Sequence, residues 1–324
     1  MTAAAPHPIP YQGSKRRLAP AILGFVPADT RRLIEPFCGS AAVSLAALRA
    51  GKVATVHLND SFAPLARLWT AIIDTPDRLA DDYQRLWRAQ LADPRRGYDR
   101  VRDRFNRDGD PTRLLYLLAR CVKSAVRFNA SGEFNQSPDR RRLGTRPARM
   151  RASIVAAAAL LAGRATVSSG DYAVWLDGAG AHDVVYLDPP YQGTSGGRDH
   201  RYHQQLDLDR LIGDLERLIT RGVAVIVSFD GRCGDRSYGT RLPARLGLVH
   251  VELRAGRSAQ ATLAGGSAHT VESLYVTPGL LTDGCAISAG VVQRGRVRGP
   301  DPHRRDPGGV RLTGHHRQGD PGPP

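Results

Sequence analysis

The sequence predicts an α/β fold, a largely parallel sheet covered by helices on both faces, with an antiparallel pair of strands near its C-terminal end. Three observations carry this. Short apolar runs rich in β-branched residues recur along the chain. Helical patterns separate several of them. The 324 residues, 41% of them hydrophobic, also suffice for a large buried core.

Residues 32–37, 53–58, 165–168, 183–187 and 223–228 each read as a buried strand, because short, continuous apolar runs suit strands covered on both faces. Residues 41–49 and 208–221 place aliphatic side chains three and four apart, the spacing of one helix face. Residues 246–254 and 270–277 read as two further strands, joined by a Gly- and Ser-rich connection that suits a hairpin. A mixed sheet follows.

Residues 70–162 interrupt the alternation with polar, arginine-rich helical stretches and one irregular loop. They read as an inserted domain, dividing the main domain into 1–69 and 163–280. Residues 281–324 are rich in Gly, Pro and Arg and hold too few apolar side chains to offset the entropy of ordering, so a disordered tail is expected.

The formal net charge is +15, with only Lys15, Lys52 and Lys123 contributing lysine. A charge of that size favours a polyanionic partner, although a merely basic protein is as compatible with charge alone. Cys38, Cys121, Cys233 and Cys285 are too scattered for a disulfide framework or a paired zinc motif, so reduced thiols and no metal are expected. No run of eighteen apolar residues occurs and the first fifteen residues lack the pattern of a secretory signal; a cytoplasmic location is expected.

Chemistry concentrates where the run VVYL meets Asp188, Pro189, Pro190 and Tyr191. Strand carboxyl ends form the ligand crevice of open α/β sheets. Two prolines stiffen the turn and remove its N–H donors, so one carboxylate and one rigid carbonyl can accept the two hydrogens of an amino group. An aromatic amine is a poor nucleophile because its lone pair is delocalised. Two acceptors favour a tetrahedral nitrogen able to attack an electrophilic methyl, and the carboxylate stabilises the charge that develops. Tyr191 offers a flat face for a base taken out of its duplex. A plain Pro-Pro turn is the bland alternative.

A cofactor constellation accompanies it. The run LIEPFCGSAA is a strand, a tight turn and a helix start, in which Gly39 allows close backbone approach and the helix N-terminus suits a carboxylate. About twenty residues later the second strand ends at Asp60, where a carboxylate can bind both hydroxyls of a ribose.

In their order, these motifs resemble the Dam-like, D12 class adenine-N6 DNA methyltransferases, for which DPPY is the signature, over residues 11–279. The resemblance implies a Rossmann-like S-adenosylmethionine-dependent methyltransferase fold with a mostly helical inserted DNA-recognition domain. It implies S-adenosylmethionine as methyl donor and double-stranded DNA as partner. A cognate restriction enzyme and a monomeric state are compatible with it. Phe37 and Gly39 match the family's glycine motif, with Ala41 at its last position. Tyr11 and Lys15 match YxGGK, with Ser14 at the second glycine, and are implied to approach the methionine end of the cofactor; Asp171 and Tyr172 match the motif that contacts its adenine.

Within the insertion, Arg127, Phe128, Asn129 and Asn135 lie in RFNASGEFN, which reads as a hairpin and resembles the family's target-recognition element. Asn can read adenine, and an exposed Phe can wedge into stacked bases. Arg140 and Arg141 suit phosphate contacts, which position without conferring sequence preference.

An N4-cytosine DNA methyltransferase is the alternative chemistry, disfavoured by Asp at position 188 and by the RFN element. A protein-glutamine methyltransferase would carry Asn at 188. A DNA-binding homologue without catalysis is a different class of reading. The recognised DNA sequence is not legible.

Overall fold

The computed structural model describes residues 4–190, 206–233, 236–257 and 269–281. Tyr191, the connection between the last two strands and the chain beyond Leu281 lie outside the described residues.

In chain order the elements are α1 (Ala19–Ile22), β1 (Arg32–Glu35), α2 (Ala42–Arg49), β2 (Thr55–Asp60), α3 (Ala63–Asp74), α4 (Pro76–Ala89), α5 (Pro94–Asp108), α6 (Pro111–Arg120) and α7 (Pro147–Leu161). They continue as β3 (Ala165–Ser169), α8 (Ala173–Leu176), β4 (Asp183–Leu187), α9 (Leu208–Thr220), β5 (Ala224–Cys233), β6 (Arg236–Tyr238), β7 (Val249–Arg257) and β8 (His269–Val276). The expected strands all form; β6, a three-residue strand paired with β5, had no signal in the sequence.

The sheet order is β3-β2-β1-β4-β5-β8-β7. β1 through β5 pair in parallel, and β8 enters antiparallel between β5 and β7. This is the mixed α/β sheet expected of the methyltransferase fold. β4 is buried at every position, as its unbroken apolar run requires of a central parallel strand.

Two hydrophobic clusters cover the two faces of the sheet, and strand residues alternate between them. Val184 and Tyr186 of β4 join the cluster with α2 and α3, whereas Val185 and Leu187 join the one with α8 and α9. The first cluster runs without a break from the sheet into α4, α5 and α6.

Successive crossovers run from β1 outward through β2 to β3, then return to the other side of β1 for β4 and β5. The carboxyl ends of β1 and β4 therefore flank a topological switch point, where connections leave in opposite directions and open a crevice.

The helices between β2 and β3 start as their sequences dictate. Each of α3 to α7 carries proline in its first turn, where no backbone N–H is needed. Asp93 and Asp110 cap α5 and α6 by accepting from the N–H groups of Arg96 and Arg113 at 3.0 and 2.9 Å. Among the described residues no helix is long and apolar enough to cross a membrane.

Candidate active site and DNA-facing surface

A cleft of about 400 Å³ opens at the carboxyl ends of β1, β2 and β4. All seven residues expected to hold the cofactor line it: Tyr11, Lys15, Phe37, Gly39, Asp60, Asp171 and Tyr172. Asp188, Pro189 and Pro190 line the same cleft. Segments more than 170 residues apart in the chain thus converge, since Lys15 Nζ donates to Asp188 Oδ1 at 2.7 Å across 173 positions.

The turn after β1 explains the glycine motif. Gly39 has φ +45°, and a Cβ there would lie 3.3 Å from Cε1 of Tyr11, so the ring packs directly on the glycine backbone. Its N–H donates to Asp60 Oδ2 at 3.1 Å, while Asp60 Oδ1 accepts from the Phe62 N–H at 3.0 Å. Asp60 is therefore held at the cleft wall by two backbone donors. Ala41 also adopts a left-handed conformation, with φ +47°. The glycine preferred at that position answers to backbone geometry as well as to packing.

The same logic separates the two positions of the N-terminal motif. Gly13 has φ +82°, whereas Ser14, standing where the family pattern has its second glycine, has an ordinary φ of −52°. Ser14 instead accepts a 2.7 Å hydrogen bond from Ser40 Oγ, joining the two loops of the cleft.

Lys15 is buried and makes a closer connection than its motif implied. Besides Asp188 it faces Glu272 Oε2 of β8 at 3.5 Å, so Asp188, the lysine and a C-terminal strand share one charge cluster. Glu35, at the end of β1, is buried beneath it and accepts from the Ser44 N–H at 3.1 Å and from the Ser44 hydroxyl. Burial pushes its pKa up to about 8, with the Asp188 charge adding to the rise, while the Ser44 bonds and Lys15 oppose it. Neither glutamate was singled out from the sequence as a site residue. Glu35 lies within an otherwise apolar strand end, and Glu272 lies in TVESLYVT, a run that reads as a strand and by itself assigns the glutamate no role.

At the other end of the cleft Phe37 and Tyr172 pack with ring centroids 4.9 Å apart, a surface suited to a planar ring. Asp171 Oδ1 accepts from the Ala173 N–H at 2.9 Å and Oδ2 from Arg210 at 2.7 Å. The Arg210 hydrogen bond holds the Asp171 carboxyl below its usual range. A carboxylate held at the cleft wall, aromatic faces and a cleft of this size together fit an adenosyl cofactor such as S-adenosylmethionine. Among the described residues no group of three metal-ligating side chains occurs, and Cys38 and Cys121 are buried thiols.

The expected hairpin forms. Phe128 and Phe134 pair across it, the Asn129 N–H donates to Glu133 O at 2.9 Å, and the Asn135 N–H donates to Arg127 O at 2.9 Å. Its aromatic residues correct the expectation of an exposed wedge. Phe128 is 9% and Phe134 1% exposed, and they stack edge-on with Phe62 and Phe105, because the apolar side of a hairpin buries against available core. Phe128 also reaches the cleft wall.

Asn129 likewise spends its side chain on the turn. Its Oδ1 accepts from the N–H groups of Ser131 and Glu133, and its Nδ2 donates to Glu133 Oε2 at 2.8 Å. Arg127 is half-buried, whereas Asn135, Arg140 and Arg141 are exposed.

The irregular loop carrying those arginines is held from beneath by buried polar side chains. Tyr98 donates to Gln136 O at 2.7 Å, Tyr83 to Thr145 O at 2.6 Å and Gln90 to Leu143 O at 3.0 Å. Arg120, itself buried, donates to Asp139 O and to Gln90 Oε1. The loop is thereby fixed while its cations point to solvent.

Comparison with known proteins agrees with this geometry. The family described as D12 class N6 adenine-specific DNA methyltransferase matches residues 11–216. A DNA N-6-adenine-methyltransferase of Escherichia phage P1 is 29% identical over 234 residues, covering 68% of this chain and 29% of the phage protein. The retron Ec67 DNA adenine methylase of Escherichia coli is 27% identical over 224 residues, covering 67% of this chain and 75% of the retron protein.

Proposed function

Because this chain belongs to the D12 class N6 adenine-specific DNA methyltransferase family, we propose that it methylates the N6 amine of adenine in double-stranded DNA with S-adenosylmethionine as donor. The observation that carries the proposal is the meeting of Asp188, Pro189 and Pro190 with Gly39 and Asp60 on one cleft at the switch point.

Tyr11, Phe37, Gly39, Asp60, Asp171 and Tyr172 are assigned to the cofactor. When bound, it supplies an electrophilic methyl group on a sulfonium. Asp188 accepts one hydrogen of the amine and takes the proton that nitrogen sheds, and the stiff Pro189 and Pro190 turn supplies the second acceptor. Lys15 aims the Asp188 carboxylate, and Tyr191 is assigned the stacking face for the extruded base.

Residues 70–162 are assigned to target recognition. Support comes from the exposed Asn135, Arg140 and Arg141 on a loop braced from below. With DNA as substrate, the cytoplasm is the assigned location.

The test is transfer of labelled methyl from S-adenosylmethionine to duplex DNA, followed by nucleoside analysis. N6-methyladenine is expected, and Asp188→Ala abolishes it while leaving DNA binding within about twofold. Recovery of N4-methylcytosine instead would overturn the choice of base.

A further inference from the structure

Helix α9 and the arginine that follows it hold α8 and the turns flanking it through Arg210, Asp214 and Arg221, and of these three only Arg210 lines the cleft. Tyr172 donates its hydroxyl to Asp214 Oδ2 at 2.7 Å, and Arg221 donates to the carbonyls of Leu176, Asp177 and Ala179. Those bonds already tie the helix to the turn. Arg210 does something further. It lies in the first turn of α9, where its N–H donates to the capping Asp207 carboxylate at 3.1 Å. Its guanidinium donates to Asp171 Oδ2 at 2.7 Å, sits 5.4 Å from the centroid of the Tyr172 ring, and forms part of the cleft wall.

We propose that Arg210 is a specificity-determining residue for the purine of the methyl donor, pairing a donor with the acceptor of Asp171 to read the edge of adenine. The inference rests on the assignment of Asp171 and Tyr172 to the cofactor's adenine. A carboxylate only accepts and a guanidinium only donates. Adenine displays an exocyclic amine donor beside a ring-nitrogen acceptor, and that pattern complements Asp171 and Arg210 side by side. A 6-keto purine presents an acceptor where adenine presents its donor, so it opposes the carboxylate. The planar guanidinium also lies against Tyr172, as an ammonium could not do equally well. Arg210 and Asp171 are both half-exposed to the cleft, with side chains 48% and 43% accessible, which leaves lone pairs and N–H groups for a ligand.

The experiment is calorimetric binding of two probes, S-adenosylhomocysteine and its 6-keto analogue S-inosylhomocysteine, to the full chain. The native protein prefers the adenosyl compound. Arg210→Ala weakens that compound by about tenfold or more, the scale of one charge-assisted hydrogen bond, and narrows the preference. Arg210→Lys recovers less than half of the lost preference. Glu216→Ala, which removes the ion pair with Arg245 nearly two turns further along the helix, leaves the preference unchanged and controls for damage to α9. An Arg210→Ala protein that keeps the native ratio of affinities overturns the inference alone. A native protein that binds neither probe overturns the cofactor assignment with it.

Discussion

Glu35 is the side chain whose setting departs furthest from its sequence context. It is buried, and its carboxyl titrates near 8 instead of 4.5 chiefly because burial disfavours the charged form. A carboxyl whose folded pKa lies above its unfolded value holds extra protons when folded. Stability therefore falls as pH rises from about 4.5 through about 8, by up to about 1.4 kcal/mol per unit. The variant Glu35→Gln keeps an acceptor for Ser44 and removes the titration. Its melting temperature is expected to match the native protein near pH 5 and to exceed it increasingly toward pH 8; parallel curves would contradict the burial argument. Gly39 makes a second residue-scale prediction. Alanine at φ +45° meets backbone strain and the Tyr11 ring together, so Gly39→Ala is expected to cost about 1–2 kcal/mol in denaturant unfolding and to weaken S-adenosylhomocysteine binding. Gly39 and Asp60 were readable from sequence because turn chemistry and strand ends are local. Glu272 was not, since only the sheet brings β8 to Lys15.

At the scale of elements, the hairpin at residues 127–135 separates packing from presentation. Alternation along RFNASGEFN was enough to predict pairing, but not which face would be buried, because that depends on Phe62, just before α3, and Phe105 of α5 beneath it. Phe134→Ala opens a cavity in that cluster and is expected to cost about 3–5 kcal/mol in unfolding experiments. Asn135→Ala, one residue on and exposed, is expected to leave stability within about 0.5 kcal/mol while lowering affinity for the target duplex. Undiminished DNA binding by the Asn135 variant would remove this end of the hairpin from the recognition surface. The helical signals carried further than the loops did. The prolines and aspartate caps that start α5 and α6 are local features, whereas the bracing of residues 136–145 by Tyr83, Gln90, Tyr98 and Arg120 comes from segments far apart in the chain.

For the molecule as a whole, a formal charge of +15 implies that DNA affinity depends steeply on salt, since each neutralised phosphate releases counterions. Arg140 and Arg141 sit exposed on the braced loop, where phosphate contact needs no base reading. Each alanine substitution is expected to lower the slope of log affinity against log salt by about 1 and to weaken target and non-target duplexes alike. A substitution that altered sequence preference without changing the slope would place that arginine on a base edge.

The order of short apolar runs determined the α/β class, and the terminal residues of those runs determined where the cleft would open. Both follow from local physics, because buried parallel strands need continuous apolar sequence and their carboxyl ends face ligands. Tertiary structure alone decided which carboxylates share the cleft, that Lys15 binds Asp188, that Arg210 binds Asp171 and that Phe128 turns inward. Those outcomes depend on distances between segments as many as 173 positions apart, and charge and burial act through space.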